Sequence, residues 1–177
     1  RIKAVVLRIS SPGGGVTASD MLYQELKRFQ RETGKVLLAH ITDVGASGAY
    51  YAALAAGTIT AQPTRVVGSI GVIMYRVDAT SLLQKIGIQA AEISSGDKKS
   101  LGSPFRPLAD DERKLFQGFI DSLFARFTGL VASERKLSPD AVKKAADGRI
   151  MTSQEAQSLG LIDGIGYLDD AVESAKK

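Results

Sequence analysis

Ser47 is the chemistry-bearing residue of this sequence. It stands in Asp43-Val44-Gly45-Ala46-Ser47-Gly48-Ala49-Tyr50-Tyr51, where a strand pattern gives way to a helix pattern. A serine hydroxyl is inert at neutral pH until a neighbouring base takes its proton, and the developing oxyanion then needs preorganised N–H donors. Gly45 and Gly48 leave room for a substrate carbonyl, and N–H groups at a helix start carry positive partial charge where an oxyanion would form. The competing reading is a plain helix N-cap, a role serine often fills. Upstream, the turn Ser11-Pro12-Gly13-Gly14-Gly15 offers either an ordinary strand-to-helix connection or an open backbone N–H at Gly14 facing the same cleft as Gly48. Neither a phosphate-loop spacing nor a dinucleotide fingerprint is present.

The base must come from elsewhere. His40 is the only histidine, ends an apolar run seven residues before Ser47, and has no acid at a triad-like spacing, so it reads as structural. One histidine, scattered carboxylates and no cysteine give no metal-ligand set, and neither a metal nor another cofactor is expected. Lysine remains, and Ser95-Gly96-Asp97-Lys98-Lys99-Ser100-Leu101-Gly102-Ser103-Pro104 supplies two. A lysine acts as a base only when neutral, so its pKa must fall from ~10.4 towards ~7–8. Burial against apolar walls without a carboxylate partner does that. Most lysines are solvated surface charges, and that reading applies to Lys98 and Lys99 alike. Ser69, in Val67-Gly68-Ser69-Ile70-Gly71, could orient such an amine or simply occupy a turn.

The elements that must position these residues alternate. Ile2–Ile9 and Lys35–Ile41 read as buried strands, Thr17–Thr33 as a helix stopped at Gly34, and Ser47–Ala56 as a helix with Ser47 at its start. Thr58–Thr60, Ile70–Ile73 and Ile88–Ile93 read as further strands, and Ser81–Ile86 as a short helix. Asp110–Arg135 is the longest predicted helix, with an apolar face from Leu115 to Val131 wide enough for more than one packing partner. Ser138-Pro139-Asp140 opens a short helix, Thr152–Glu155 is a capping box, and Leu168–Ala175 closes the chain with a helix. This alternation predicts an α/β fold with largely parallel strand pairing.

A chain of 177 residues, 44% hydrophobic and 24% charged, predicts a single domain over 1–177. The net charge of +4 is modest and its basic residues are scattered among acids, which argues against nucleic-acid binding. No run is long and apolar enough for a membrane span, and the start lacks the signature of a signal peptide, so the chain reads as soluble. It opens with Arg1 in place of methionine, which reads as a piece of a longer protein.

Five segments in order resemble the signal peptide peptidase A family of Ser–Lys proteases: Ser11-Pro12-Gly13-Gly14; Ala46-Ser47-Gly48; Gly68-Ser69-Ile70-Gly71-Val72; Ser95-Gly96-Asp97-Lys98-Lys99 with Pro104; and Gly148-Arg149-Ile150-Met151-Thr152 with Gly160-Leu161-Ile162-Asp163. Ala49 and Ser10 depart from the family pattern at positions that touch no catalytic atom. The resemblance implies Ser47 as nucleophile, Lys99 as general base, Ser69 as its orienting partner, and the Gly14 and Gly48 N–H groups as oxyanion hole. It further implies a crotonase-like, Clp-protease-like spiral fold, peptide substrates such as cleaved signal peptides, and homo-oligomeric rings or domes. Any membrane contact would come through an anchor in a parent protein with an extracytoplasmic catalytic domain. On this reading Lys99 is buried within reach of Ser47 and Ser69, and Lys98 is exposed. Two rival functions use the same fold: a crotonase-type acyl-CoA enzyme, which would want carboxylates in the cleft and no nucleophile, and a catalytically idle assembly subunit.

Overall fold

A computed structural model describes residues 2–176. Its elements run β1 (Ala4–Ser11), α1 (Val16–Thr33), β2 (Val36–Ala46), α2 (Gly48–Ala53), β3 (Thr58–Ala61), β4 (Val66–Gly68), α3 (Thr80–Lys85), α4 (Asp110–Arg135), α5 (Pro139–Ala145), β5 (Ile150–Thr152), α6 (Ser153–Ser158), β6 (Gly164–Ile165) and α7 (Leu168–Lys176). The chain divides into two compact units, one up to Val72 together with Leu123 onward, the other Ile73–Ser122.

The first unit holds a six-stranded sheet flanked by helices. Strand β2 is its hub: it pairs in parallel with β1 (Ala4 opposite Val36 through Ile9 opposite Ile41), with β3 over Leu38–Ile41, and with β4 over Val44–Ala46. β6 adds to β3 in parallel, and β5 to β4 as the single antiparallel pair. The mixed α/β class with mostly parallel pairing is therefore as expected. Leu37, Ile41, Ile59 and Val67 of the sheet pack with Tyr50 of α2, with Leu54 at its end, and with Phe127 and Val131 of α4. Small residues make the approach close: α2 carries Ala49, Ala52 and Ala53, all buried. Tyr50, fully buried, spends its hydroxyl on the Leu161 carbonyl at 2.7 Å, so its polar end is satisfied inside the core.

Helix signals held where their chemistry is local. Gly34 adopts φ 63° and its N–H closes α1 on the Gln30 carbonyl. Ser138 caps α5 through the Ala141 N–H, and Thr152 with Glu155 forms the reciprocal capping box of α6. Two expected strands are corrected. Ile70–Ile73 is not a strand: the pairing there belongs to Val66–Gly68 and stops because Gly68 (φ 101°) and Ser69 (φ 48°) turn out of extended backbone. Ile88–Ile93 forms no ladder either, and its two isoleucines, one at each end, are exposed.

The second unit holds α3 and the first half of α4. Among the described residues it contributes no buried hydrophobic side chain, and its one buried residue is Glu112. That carboxylate takes Arg106 Nη1 at 2.8 Å and a second bond from Nη2, a forked pair that organises the turns leading into α4.

Candidate active site

The β2-to-α2 junction makes Ser47 unusual before any substrate is considered. Its backbone sits at φ 51°, ψ −123°, a conformation that non-glycine residues rarely adopt. The bend is held from both sides: the Ser47 N–H donates to the Gly68 carbonyl at 2.8 Å, and its own carbonyl accepts from the Tyr51 N–H at 2.9 Å. Ser47 occupies the N-cap position of α2, yet its hydroxyl makes no capping bond. The plain N-cap reading thus fails on geometry, and the Oγ is left for other work.

The Gly-rich turn comes alongside because Ser11 pairs with Gly45 across β1 and β2. At Gly13 (φ 112°) an added Cβ would stand 2.8 Å from Ser47 Cβ and 2.9 Å from the Gly48 nitrogen, so only glycine lets the turn lie this close. An added Cβ on Gly48 would run into Ser19 Oγ and stand 3.2 Å from the Gly14 nitrogen. Gly48 opens α2, so its N–H has no carbonyl to bond within the helix, and Gly14 lies outside every strand and helix. Ser47, Gly48 and Gly14 line one narrow cavity of about 20 Å³, which also meets Tyr51, Arg126 and Phe127. Gly14 and Gly48 also border a larger neighbour of about 370 Å³, walled by Leu7, Ile9, Ala18, Leu22 and Ala52 and bordered by Arg8. The arrangement can present a hydroxyl to a carbonyl flanked by two open N–H groups, with an apolar recess beside it.

Ser69 follows from strand register. Ala46 is paired with Gly68, so the next residues, Ser47 and Ser69, leave the ends of adjacent parallel strands, both at positive φ. Ser69 N–H donates to the Arg149 carbonyl at 2.8 Å, and Gly71 lets that segment approach: a Cβ on Gly71 would stand 3.3 Å from the Gly148 Cα. This gives the Gly148-Arg149 segment a physical purpose. Lys99 belongs to the second unit, in the turns between Ser95 and Gly102. Its side chain is exposed there, which corrects the expectation of burial. Lys98 is exposed as expected and ion-paired with Asp111, whose carboxylate pushes its pKa up.

His40 takes no part in this cleft. It is fully buried in β2, its Nδ1 lies 2.8 Å from Thr60 Oγ1, and burial lowers its pKa. No group of three or more His, Cys, Asp or Glu able to hold a metal occurs among the described residues. Sequence reasoning missed three contributors. Tyr51 donates to Asp20 Oδ1 at 2.6 Å, and Arg126 reaches the same oxygen from Nε at 3.1 Å and Nη2 at 2.6 Å. The one available signal was a charged residue, Arg126, beside the apolar row of α4.

A serine at a positive-φ strand-to-helix bend beside open N–H groups, on a mostly parallel α/β sheet, is an arrangement by which α/β folds can present a hydroxyl to a substrate. Residues 29–177 match the model of peptidase family S49, and the chain belongs to that family. It is 39% identical over its whole length to a chloroplastic serine protease SPPA of Arabidopsis thaliana, covering 26% of that protein. It is 36% identical over 99% of its length to a putative signal peptide peptidase SppA of Enterococcus faecium, covering 51% of it. Against Protease 4 of Salmonella typhi the identity is 34% over 99% of the chain and 28% of the relative. The chain thus spans about half or less of these relatives.

Proposed function

We propose that the chain is the catalytic domain of a serine endopeptidase that uses a Ser47–Lys99 dyad on apolar peptides such as cleaved signal peptides. The observation that carries this reading is the uncapped Ser47 hydroxyl at a positive-φ bend beside the Gly14 and Gly48 N–H groups. Ser47 Oγ attacks the scissile carbonyl while the Lys99 amine takes its proton. The tetrahedral oxyanion is stabilised by the two N–H groups, and the amine product leaves with the proton from Lys99. Water, deprotonated by the same lysine, then hydrolyses the acyl-enzyme. Ser69 orients the Lys99 amine. Membership of family S49 and relatives named as proteases support the peptidase class. The choice of lysine is supported by the Lys98–Asp111 pair, since a carboxylate partner keeps an amine protonated. Lys99 has no ion-pair partner among the described residues.

Self-association belongs to the same proposal. Along α4 Phe127 and Val131 are buried, whereas Leu115 and Phe119 keep more than half their surface exposed, leaving apolar area for a second copy. Among the described residues no helix is long and apolar enough to cross a membrane; a membrane-anchored longer parent protein is part of the proposal.

On an apolar reporter peptide, Ser47→Ala and Lys99→Ala are expected to lower kcat/KM by at least a thousandfold with unchanged circular dichroism, and Lys98→Ala by less than threefold. A tenth of the parent activity in Ser47→Ala, or a severe loss in Lys98→Ala only, would contradict the assignment.

A further inference from the structure

The cavity that holds Ser47 has one charged wall. Of the residues that line it, Arg126 of α4 alone carries a charge; the others include Val16, Val72, Leu123 and Phe127. Its guanidinium is fixed in place: Nε and Nη2 both donate to Asp20 Oδ1, which also accepts from the Tyr51 hydroxyl. Burial alone would raise the Asp20 pKa, but the Tyr51 and Arg126 bonds outweigh it and keep the carboxylate ionised. Tyr51 is braced in turn by its ring contacts with Tyr23 and Phe127, at 5.7 and 5.0 Å between centroids. A structural ion pair would need no more than this. Yet Asp20 is absent from the cavity wall, half of the Arg126 side chain is exposed, and its Nη1 donors have no partner among the described residues.

The two cavities share Gly14, Ser19 and Gly48, so they meet at the N–H groups where a scissile carbonyl would lie. One is the broad recess with apolar walls and the other is narrow with a cationic wall. Resting on the peptidase reading, we propose that Arg126 is a specificity-determining residue that reads a carboxylate on the substrate close to the scissile bond, opposite the side chain held in the apolar recess. Asp20 and Tyr51 are positioning residues that aim the guanidinium. A planar fork of N–H donors suits a carboxylate better than any neutral group, and the pair is charge-assisted. The carboxylate can come from an acidic side chain or from the C-terminus of a short peptide.

The test compares kcat/KM for matched reporter peptides carrying one apolar residue on the acyl side. One pair differs by Glu against Gln on the leaving side, the other by a free C-terminal carboxylate against an amide. The parent protein should favour one carboxylate peptide over its neutral twin by on the order of tenfold, less at high salt, and the pair that shows it identifies the source. Arg126→Gln should bring that ratio to about one, and Arg126→Lys should retain part of it. Loss of a merely structural ion pair would lower both twins together and keep the ratio, which would overturn the proposal. So would a parent ratio near one in both pairs, or a ratio that survives Arg126→Gln and disappears in Arg8→Gln, which would move the role to the Arg8 that borders the recess. Absence of turnover on all four peptides would overturn the peptidase reading and this inference with it.

Discussion

Holding Ser47 at φ 51° costs of order 1–3 kcal/mol relative to a relaxed residue, and the flanking bonds to Gly68 and Tyr51 fix it there. What the strain accomplishes is presentation: the hydroxyl stands clear of the helix it would otherwise cap. That Ser47, Gly14 and Gly48 meet at one cavity is legible in the sequence, because both the Gly-rich turn and the serine lie where a strand pattern ends. The burial state of Lys99 was not, since it depends on tertiary packing that a turn-rich segment does not encode. His40 illustrates the opposite case, a chemically capable residue absorbed by the core. Its pKa lies below the ordinary 6.5 because burial disfavours the charged ring, a shift only partly opposed by Asp170. The folded protein therefore binds fewer protons there than the unfolded chain. Its contribution to stability is complete above the unfolded pKa and is lost as pH falls below about 6.5 towards the folded value. Urea unfolding at pH 7.5 and 5.5 should show a loss on acidification that His40→Gln reduces; equal losses in both proteins would show that His40 is not the group responsible.

At the scale of elements, the signature Gly160-Leu161-Ile162-Asp163 is a clamp. Asp163 accepts the Ile59 N–H of β3 at 2.7 Å and holds Arg135, at the end of α4, through two bonds of 3.0 and 2.7 Å. The Arg135 side chain is 8% exposed, so Asp163→Ala strands a buried charge and should cost about 2 kcal/mol. Chemical denaturation measures this directly; a change under 0.5 kcal/mol would mean the pair is a surface contact. Such long-range clamps mark the limit of sequence reading. The bounds of α4 were clear from 26 residues of periodic pattern. Strands β4, β5 and β6 have only three, three and two residues, too few for any period to register. β2 runs on to Ala46 through Thr42-Asp43-Val44-Gly45, which looks like a turn until β4 pairs with it. Ile88–Ile93 misled for the converse reason, because a short stretch bounded by isoleucines makes no strand without a neighbouring strand to pair with.

Across the whole molecule, buried hydrophobic side chains are confined to the unit that carries Ser47, whereas Ile73–Ser122 carries Lys99 on turns with few internal ladders. Local opening should follow that division. Amides of Leu37–Ile41 should exchange with deuterium only through global unfolding, and those between Ile88 and Gly102 should exchange orders of magnitude faster; matched protection would contradict the division. The charge balance and turn-rich second unit say little about chemistry, so the central claim rests on Ser47 being an activated nucleophile. Incubation of the intact protein with a fluorophosphonate probe, followed by mass mapping, tests it most directly. A single adduct on Ser47, lost in Ser47→Ala and slowed at least a hundredfold in Lys99→Ala, is the predicted result. No adduct, or one on another serine at the same rate in both variants, would contradict it.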